Sequence, residues 1–102
     1  MTRQVRWADE ARDELNEIAA YIADFDSSAA TRLASRILIT AEKLGEMATG
    51  HPGRVPKTYE KLVAQTSYNL AYEVHTINGM ESIYILRVIH SSRNWTADEW
   101  PE

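Results

Sequence analysis

The period of the apolar residues changes once along this chain, near Gly50, and that change limits the folds open to it. Before it, Ala11, Leu15, Ile18, Ala19, Ile22 and Phe25 recur in steps of three and four, as on one face of an α-helix. Asp9 is placed to cap that helix, and Asp13 and Glu14 favour its positive N-terminal end. Asp13, Glu14, Glu17 and Asp24 fall largely on the outward side. The stripe breaks at Asp26-Ser27-Ser28, where serine is a good N-cap. A second stripe then runs through Ala30, Ala34, Ile37, Ala41, Leu44 and Ala48, whose alanines let two helices approach closely. The expectation is an antiparallel helical hairpin over about residues 9–49.

Gly50-His51-Pro52-Gly53 ends that pattern, and the period becomes two. Lys61 to Ala64 reads as a short strand. Tyr68 to His75 reads as a second, with Tyr68, Leu70, Tyr72 and Val74 on one side. Asn78-Gly79 is the turn chemistry of a tight hairpin, since both residues tolerate positive φ. Ser82 to Ile89 is the third strand. Its faces, Ile83, Ile85, Arg87, Ile89 and Tyr84, Leu86, Val88, His90, are both mostly apolar, which predicts a central strand covered on both sides. The hairpin covers one face; the other calls for the tail or another chain. With a short first strand at Gln4–Trp7, the expected fold is α+β in the order β-α-α-β-β-β. A helical hairpin packs on a three-stranded antiparallel sheet over about residues 60–90, followed by a tail over 91–102. A length of 102 residues suits one domain spanning 1–102.

Hydrophobic content of 44% with 25% charged residues is that of a globular chain, not a disordered one. The absence of cysteine excludes disulfides, thiolate zinc sites and cysteine nucleophiles. No apolar run suits a signal peptide or a membrane span, so the expectation is a cytoplasmic protein. The formal charge of −4 argues against direct, high-affinity binding to a nucleic-acid backbone. Only the stretch from His51 to Trp95 is net basic.

The residues able to carry chemistry are few. Arg87 lies within an apolar strand, and an unpaired buried guanidinium is costly. It requires either an ion pair, with Glu73 or Glu60 on a neighbouring strand, or a binding partner. His90 and Arg93 follow it; with Arg87 they are the formal set for a ribonuclease, a proton shuttle beside cations for phosphate. A capping and positioning role for His90 and Arg93 stands beside that reading. Arg54 and Lys57 flank a loop, as solvated charges or as contacts. Trp95 reads as core or as a lid over the sheet, and Trp100 as an interaction anchor. His51, His75 and His90 have no metal-ligand spacing, so neither a metal nor a cofactor is expected.

Taken together, Val5-Arg6-Trp7, Ala11, Leu15, Ile18, Tyr21-Ile22, Ile37, Leu44, Gly53-Arg54, Leu62-Val63, Tyr68 and Tyr72 resemble the ParE branch of the ParE/RelE toxins. The most telling stretch is Ile85-Leu86-Arg87-Val88-Ile89-His90, closed by Arg93 and Trp95. The resemblance implies a type II toxin, held by an antitoxin encoded beside it (ParD-like in this branch), that blocks growth by poisoning DNA gyrase without an active site of its own. Two alternatives stand behind it: a RelE-like ribosome-dependent mRNA endoribonuclease and, third, a detoxified antitoxin-binding co-repressor subunit, suggested by the acidic total and by two departures from the family pattern. Glu60-Lys61-Leu62 stands where the family commonly has Arg-Glu-Leu, and Glu73 where an arginine is frequent. On this reading Arg54, Lys57, Arg93, Trp95 and Trp100 contact the target. Ile83, Ile85, Arg87 and Ile89, or the opposite face of that strand, contact the antitoxin through mainly apolar surface. A toxin dimer or a toxin–antitoxin hetero-oligomer is the expected assembly.

Overall fold

Seven elements follow one another in the computed structural model, which describes residues 3–91. They are β1 (Gln4–Trp7), α1 (Asp9–Ala23), α2 (Ser27–Glu46), β2 (His51–Pro52), β3 (Tyr59–Leu62), β4 (Tyr68–Ile77) and β5 (Met80–His90). The fold is α+β, with two helices against a five-stranded mixed sheet of order β1-β5-β4-β3-β2. The expected three antiparallel strands are β3, β4 and β5. The sheet is wider than that expectation at both edges. β1 pairs in parallel with β5, from Gln4↔Ser82 to Trp7↔Ile85, and β2 adds two residues beside β3. A parallel neighbour needs a long crossover, and the chain from α1 through β4 supplies it.

The helix boundaries move from those read in the sequence. Asp9 is the first helical residue rather than the cap; Ala8 caps α1 with no side-chain bond, and its N–H donates to the Ile85 carbonyl at 2.8 Å. Asp9 and Glu10 therefore act on the helix dipole from its first turn. Asp26, not a serine, caps α2: its carboxylate accepts from the Ala29 N–H at 3.1 Å. α2 stops at Glu46, so Ala48 lies beyond it and is exposed. Close packing of α2 on β1 uses Gly45, whose added Cβ would lie 2.7 Å from the Arg3 carbonyl oxygen.

The core lies between the helices and one sheet face. Ala11, Leu15, Ile37, Ala41 and Leu44 meet Leu70, Tyr72, Ile83, Ile85 and Val88 there, with Val63 beneath. Tyr68, Leu70, Tyr72 and Val74 share the helix-facing side, as the alternation required. Asn78 and Gly79 take φ of 54° and 76°, the two left-handed positions of the tight turn joining β4 to β5.

The alternation of β5 is broken once. Ala71 opposes Arg87 but Tyr72 opposes Ile85, so Leu86 is an extra residue, a β-bulge. One extra residue reverses which face every later side chain takes. Ile83 and Ile85 therefore share the helix-covered face with Val88, while Ile89 joins Ala71 and Val55 in a second, smaller cluster. The two unbroken faces read from the sequence do not exist. β3 also begins earlier than Lys61, pairing with β4 from Tyr59↔Tyr72, and it ends before Ala64 because the turn to β4 starts at Val63, whose N–H donates to the Tyr68 carbonyl at 2.9 Å.

Candidate functional site

Across the far face of the sheet, Glu60, Ala71 and Arg87 fall in one row on β3, β4 and β5. Neighbouring strands are about 4.8 Å apart, so the two charges stand roughly two strand spacings from each other. Ala71 separates them, and each is neutralised elsewhere. Arg87 does not pair with Glu60 or Glu73. Its Nη2 and Nε donate to the Glu14 carboxylate of α1 at 2.8 and 3.0 Å. Glu73 is 3.0 Å from His75 instead. The carboxylate of Glu14 also accepts the Val88 N–H at 3.1 Å. This happens where β1 has ended and β5 would otherwise present a bare edge, so a side chain stands in for a strand. Glu14 belonged to the outward, dipole-matched acids of the helix pattern. Its place one residue before the buried Leu15 is the only local sign that it borders the core.

Glu60 is almost fully buried, with side-chain exposure of 4%. It accepts from the Arg54 N–H at 3.0 Å and lies 3.4 Å from the Arg54 guanidinium. The loop between β2 and β3 is thereby folded onto the sheet. Gly53 is needed for that approach, because an added Cβ would meet Thr58 Oγ1 at 2.6 Å. Lys57, in the same loop, is exposed and takes a φ of 69°. Of the sequence-predicted target contacts, Arg54 and Lys57 thus share one loop; Arg93, Trp95 and Trp100 lie outside the described residues.

At the far end of β5, His90 stacks edge-on against Tyr68, ring centroids 5.3 Å apart. The two line a recess of about 240 Å³ with Glu14, Glu17, Ile18 and Val88. Arg87 is held by Glu14, so a phosphate at His90 would compete with a half-buried carboxylate for it. Ile83 and Ile85 are fully buried beneath the helices, and Ile89 is 2% exposed. In the folded chain these isoleucines are core. No group of three or more His, Cys, Asp or Glu residues suited to a metal occurs among the described residues, and no described helix is long and apolar enough to cross a membrane.

Tyr72 joins the helical hairpin's exit to the sheet. Its hydroxyl accepts the Gly50 N–H at 2.9 Å, and its ring stacks on Tyr59 at 5.6 Å between centroids. Burial pushes the phenol upward from its ordinary value; the Gly50 N–H opposes this, the Tyr59 phenol adds to it and Arg3 opposes it. A raised folded-state pKa gives stability that is complete below the unfolded value and is lost as pH rises through the folded one. Tyr72→Phe is therefore expected to cost about 1 kcal/mol near neutral pH. It should also flatten the decline in stability above about pH 10. Urea denaturation at several pH values checks both; an unchanged alkaline decline would show that Tyr72 is not its source.

Comparison with known proteins places these features in a family. Residues 5–95 match the family model described as the ParE toxin of the type II toxin-antitoxin system parDE. The protein Y4kP of Sinorhizobium fredii, named as a candidate toxin, is 34% identical over 94 residues, covering 91% of this chain and 93% of that protein. A structure described as the chromosomal ParDE system of P. aeruginosa superposes with a TM-score of 0.77 at 18% identity, over 87% of this chain and 96% of that one. The RelBE2 toxin-antitoxin complex of Mycobacterium tuberculosis gives 0.60 at 21% identity, over 88% and 99%. At these identities the two structures speak to the fold, while the family match and the Sinorhizobium relative span almost the whole chain. The chain belongs to the ParE toxins of type II toxin-antitoxin systems.

Proposed function

We propose that this chain arrests bacterial growth by poisoning DNA gyrase in the cytoplasm, and that a ParD-like antitoxin encoded beside it neutralises it. The observation that carries the reading is the ParE match across residues 5–95. The site chemistry agrees with a protein that acts by binding. Arg87 is engaged by Glu14, and His90 packs against Tyr68. An endoribonuclease needs an acid and a base poised about a phosphate together with a cation for the developing charge. In the loop from Gly53 to Thr58, the exposed residues Arg54, Pro56 and Lys57 are the part of the described surface offered to the target. Arg93, Trp95 and Trp100, outside the described residues, are the further target contacts in this proposal.

Induced expression without the antitoxin, read for growth and DNA breaks together, tests the proposal. Growth arrest with a DNA-damage response, and linearised plasmid when purified protein is added to gyrase, is the expected result. Arrest with intact DNA and cleaved mRNA would replace it with the RelE-like activity. Normal growth with well-folded protein would leave the antitoxin-binding co-repressor.

A further inference from the structure

Among the described residues other than glycine, Lys57, Gln65 and Asn78 take a left-handed backbone, with φ of 69°, 63° and 54°. Asparagine tolerates that conformation, and Asn78 serves the β4–β5 turn. Lys57 is the third residue of a turn over Val55, Pro56, Lys57 and Thr58, closed by the Thr58 N–H donating to the Val55 carbonyl at 3.2 Å. Proline fixes the second φ near about −65°, so a positive φ at the third makes this a type II turn. Glycine is the residue that suits that position, and a lysine there is strained. The Lys57 side chain is exposed, and no ion pair or hydrogen bond of its ammonium among the described residues offsets the strain. Strain alone does not mark a contact: Gln65 has a positive φ in the turn closed by Thr66 N–H on the Val63 carbonyl, with a neutral side chain.

What sets Lys57 apart is the frame beneath its turn. Burying a carboxylate is unfavourable unless a cation and hydrogen bonds meet it. Glu60 of β3 is 3% exposed; it accepts the Arg54 N–H at 3.0 Å and lies 3.4 Å from the Arg54 guanidinium. The Gly53 N–H donates to the Thr58 carbonyl at 2.8 Å, and the Thr58 hydroxyl donates to the Val55 carbonyl. Val55 packs on Ala71 and Ile89. The loop is thus tied at Gly53, Arg54, Val55 and Thr58, and Pro56 and Lys57 stand out from it. A contact loop fixed in advance loses less conformational freedom when a partner arrives.

We infer that Lys57 is a preset cationic contact for a carboxylate on the protein target, and that Glu60 is the positioning residue that holds its loop ready. The inference rests on the reading above that this chain acts by binding gyrase, and it names the chemistry of one contact. A phosphate backbone fits less well. Arg54 is already engaged by Glu60, the chain is net −4, and holding a duplex takes several uncompensated cations.

The test takes two readings from each full-length variant, at a temperature where all are folded. One is the urea midpoint. The other is the concentration giving half-maximal plasmid linearisation by gyrase, at about 50 and about 200 mM salt. Lys57→Gly should raise the urea midpoint, because glycine accepts the left-handed φ without strain. It should also need about fivefold more protein at low salt, with the gap narrowing at the higher salt. Lys57→Arg keeps the charge and should keep the potency. Gln65→Gly should raise the midpoint and leave potency unchanged. Glu60→Ala should weaken poisoning; Glu60→Gln, which keeps an acceptor for the Arg54 N–H, should weaken it less. In the K57G background E60A should weaken it little further, a coupling that a general loss of stability does not produce. Wild-type potency of K57G at both salt levels would overturn the inference and leave the proposed function standing. A K57G midpoint below that of the wild type would make the lysine a folding residue and overturn it as well. Full additivity of E60A and K57G would remove the positioning role of Glu60. Failure of the wild type itself to linearise plasmid would remove both the inference and the function. An equal K57G loss in binding to a gyrase-free DNA duplex would assign Lys57 to phosphate and overturn the inference.

Discussion

Glu14→Ala should lower the unfolding free energy by about 3 kcal/mol, the low end of what breaking a buried ion pair costs. The Glu14 side chain keeps 21% exposure, so water recovers part of the loss, but the Arg87 side chain keeps only 9%. Removing the carboxylate leaves that guanidinium without its α1 partner in a largely dry site. It also frees the Val88 N–H at the point where β1 has stopped covering β5. Glu14→Gln keeps an acceptor for that N–H and should fall between alanine and wild type. Urea midpoints of the three proteins decide the matter. Equal midpoints for alanine and wild type would mean that the pair is decorative and that the helical hairpin stays on the sheet through apolar packing alone.

Ile85→Ala is expected to cost about 3 kcal/mol as well, within the range of large-to-small core changes. Ile85 has no exposed surface, opposes Trp7 on β1 and Tyr72 on β4, and its carbonyl holds the N–H of Ala8. The same residue was read from the sequence as an antitoxin contact. Its burial under both helices makes the two roles separable. Antitoxin affinity per folded molecule should be unchanged at a temperature where the variant is still folded. Loss of affinity with undiminished stability would restore the contact role.

Much of the fold was legible because the signals that specify it are local. The steps of three and four from Ala11 to Ile22 and from Ala30 to Leu44 follow from helix geometry alone. The two-residue turn at Asn78-Gly79 and the alternation from Tyr68 to Val74 depend only on neighbouring φ values and on the pleat. Even the family could be recognised, since the residues that carry it are spread along the whole chain. The candidate site was legible only in part. Arg87 announced that it needed a partner, and Arg54 that its loop mattered, but neither named the carboxylate that answers it.

What the tertiary structure decided lies in pairings between distant residues. Glu14 and Arg87 are 73 positions apart, and no periodicity connects them. The parallel docking of β1 on β5 depends on everything between them, the helical hairpin and β2 to β4. The bulge at Leu86 exists only relative to β4, yet it determines that Val88 faces the core and Ile89 does not. The sequence by itself determined the elements, because each is written in residues close enough to interact before the chain folds. Register, ion pairing and the surface left over for partners came from the tertiary structure, because they depend on which elements touch and in what alignment.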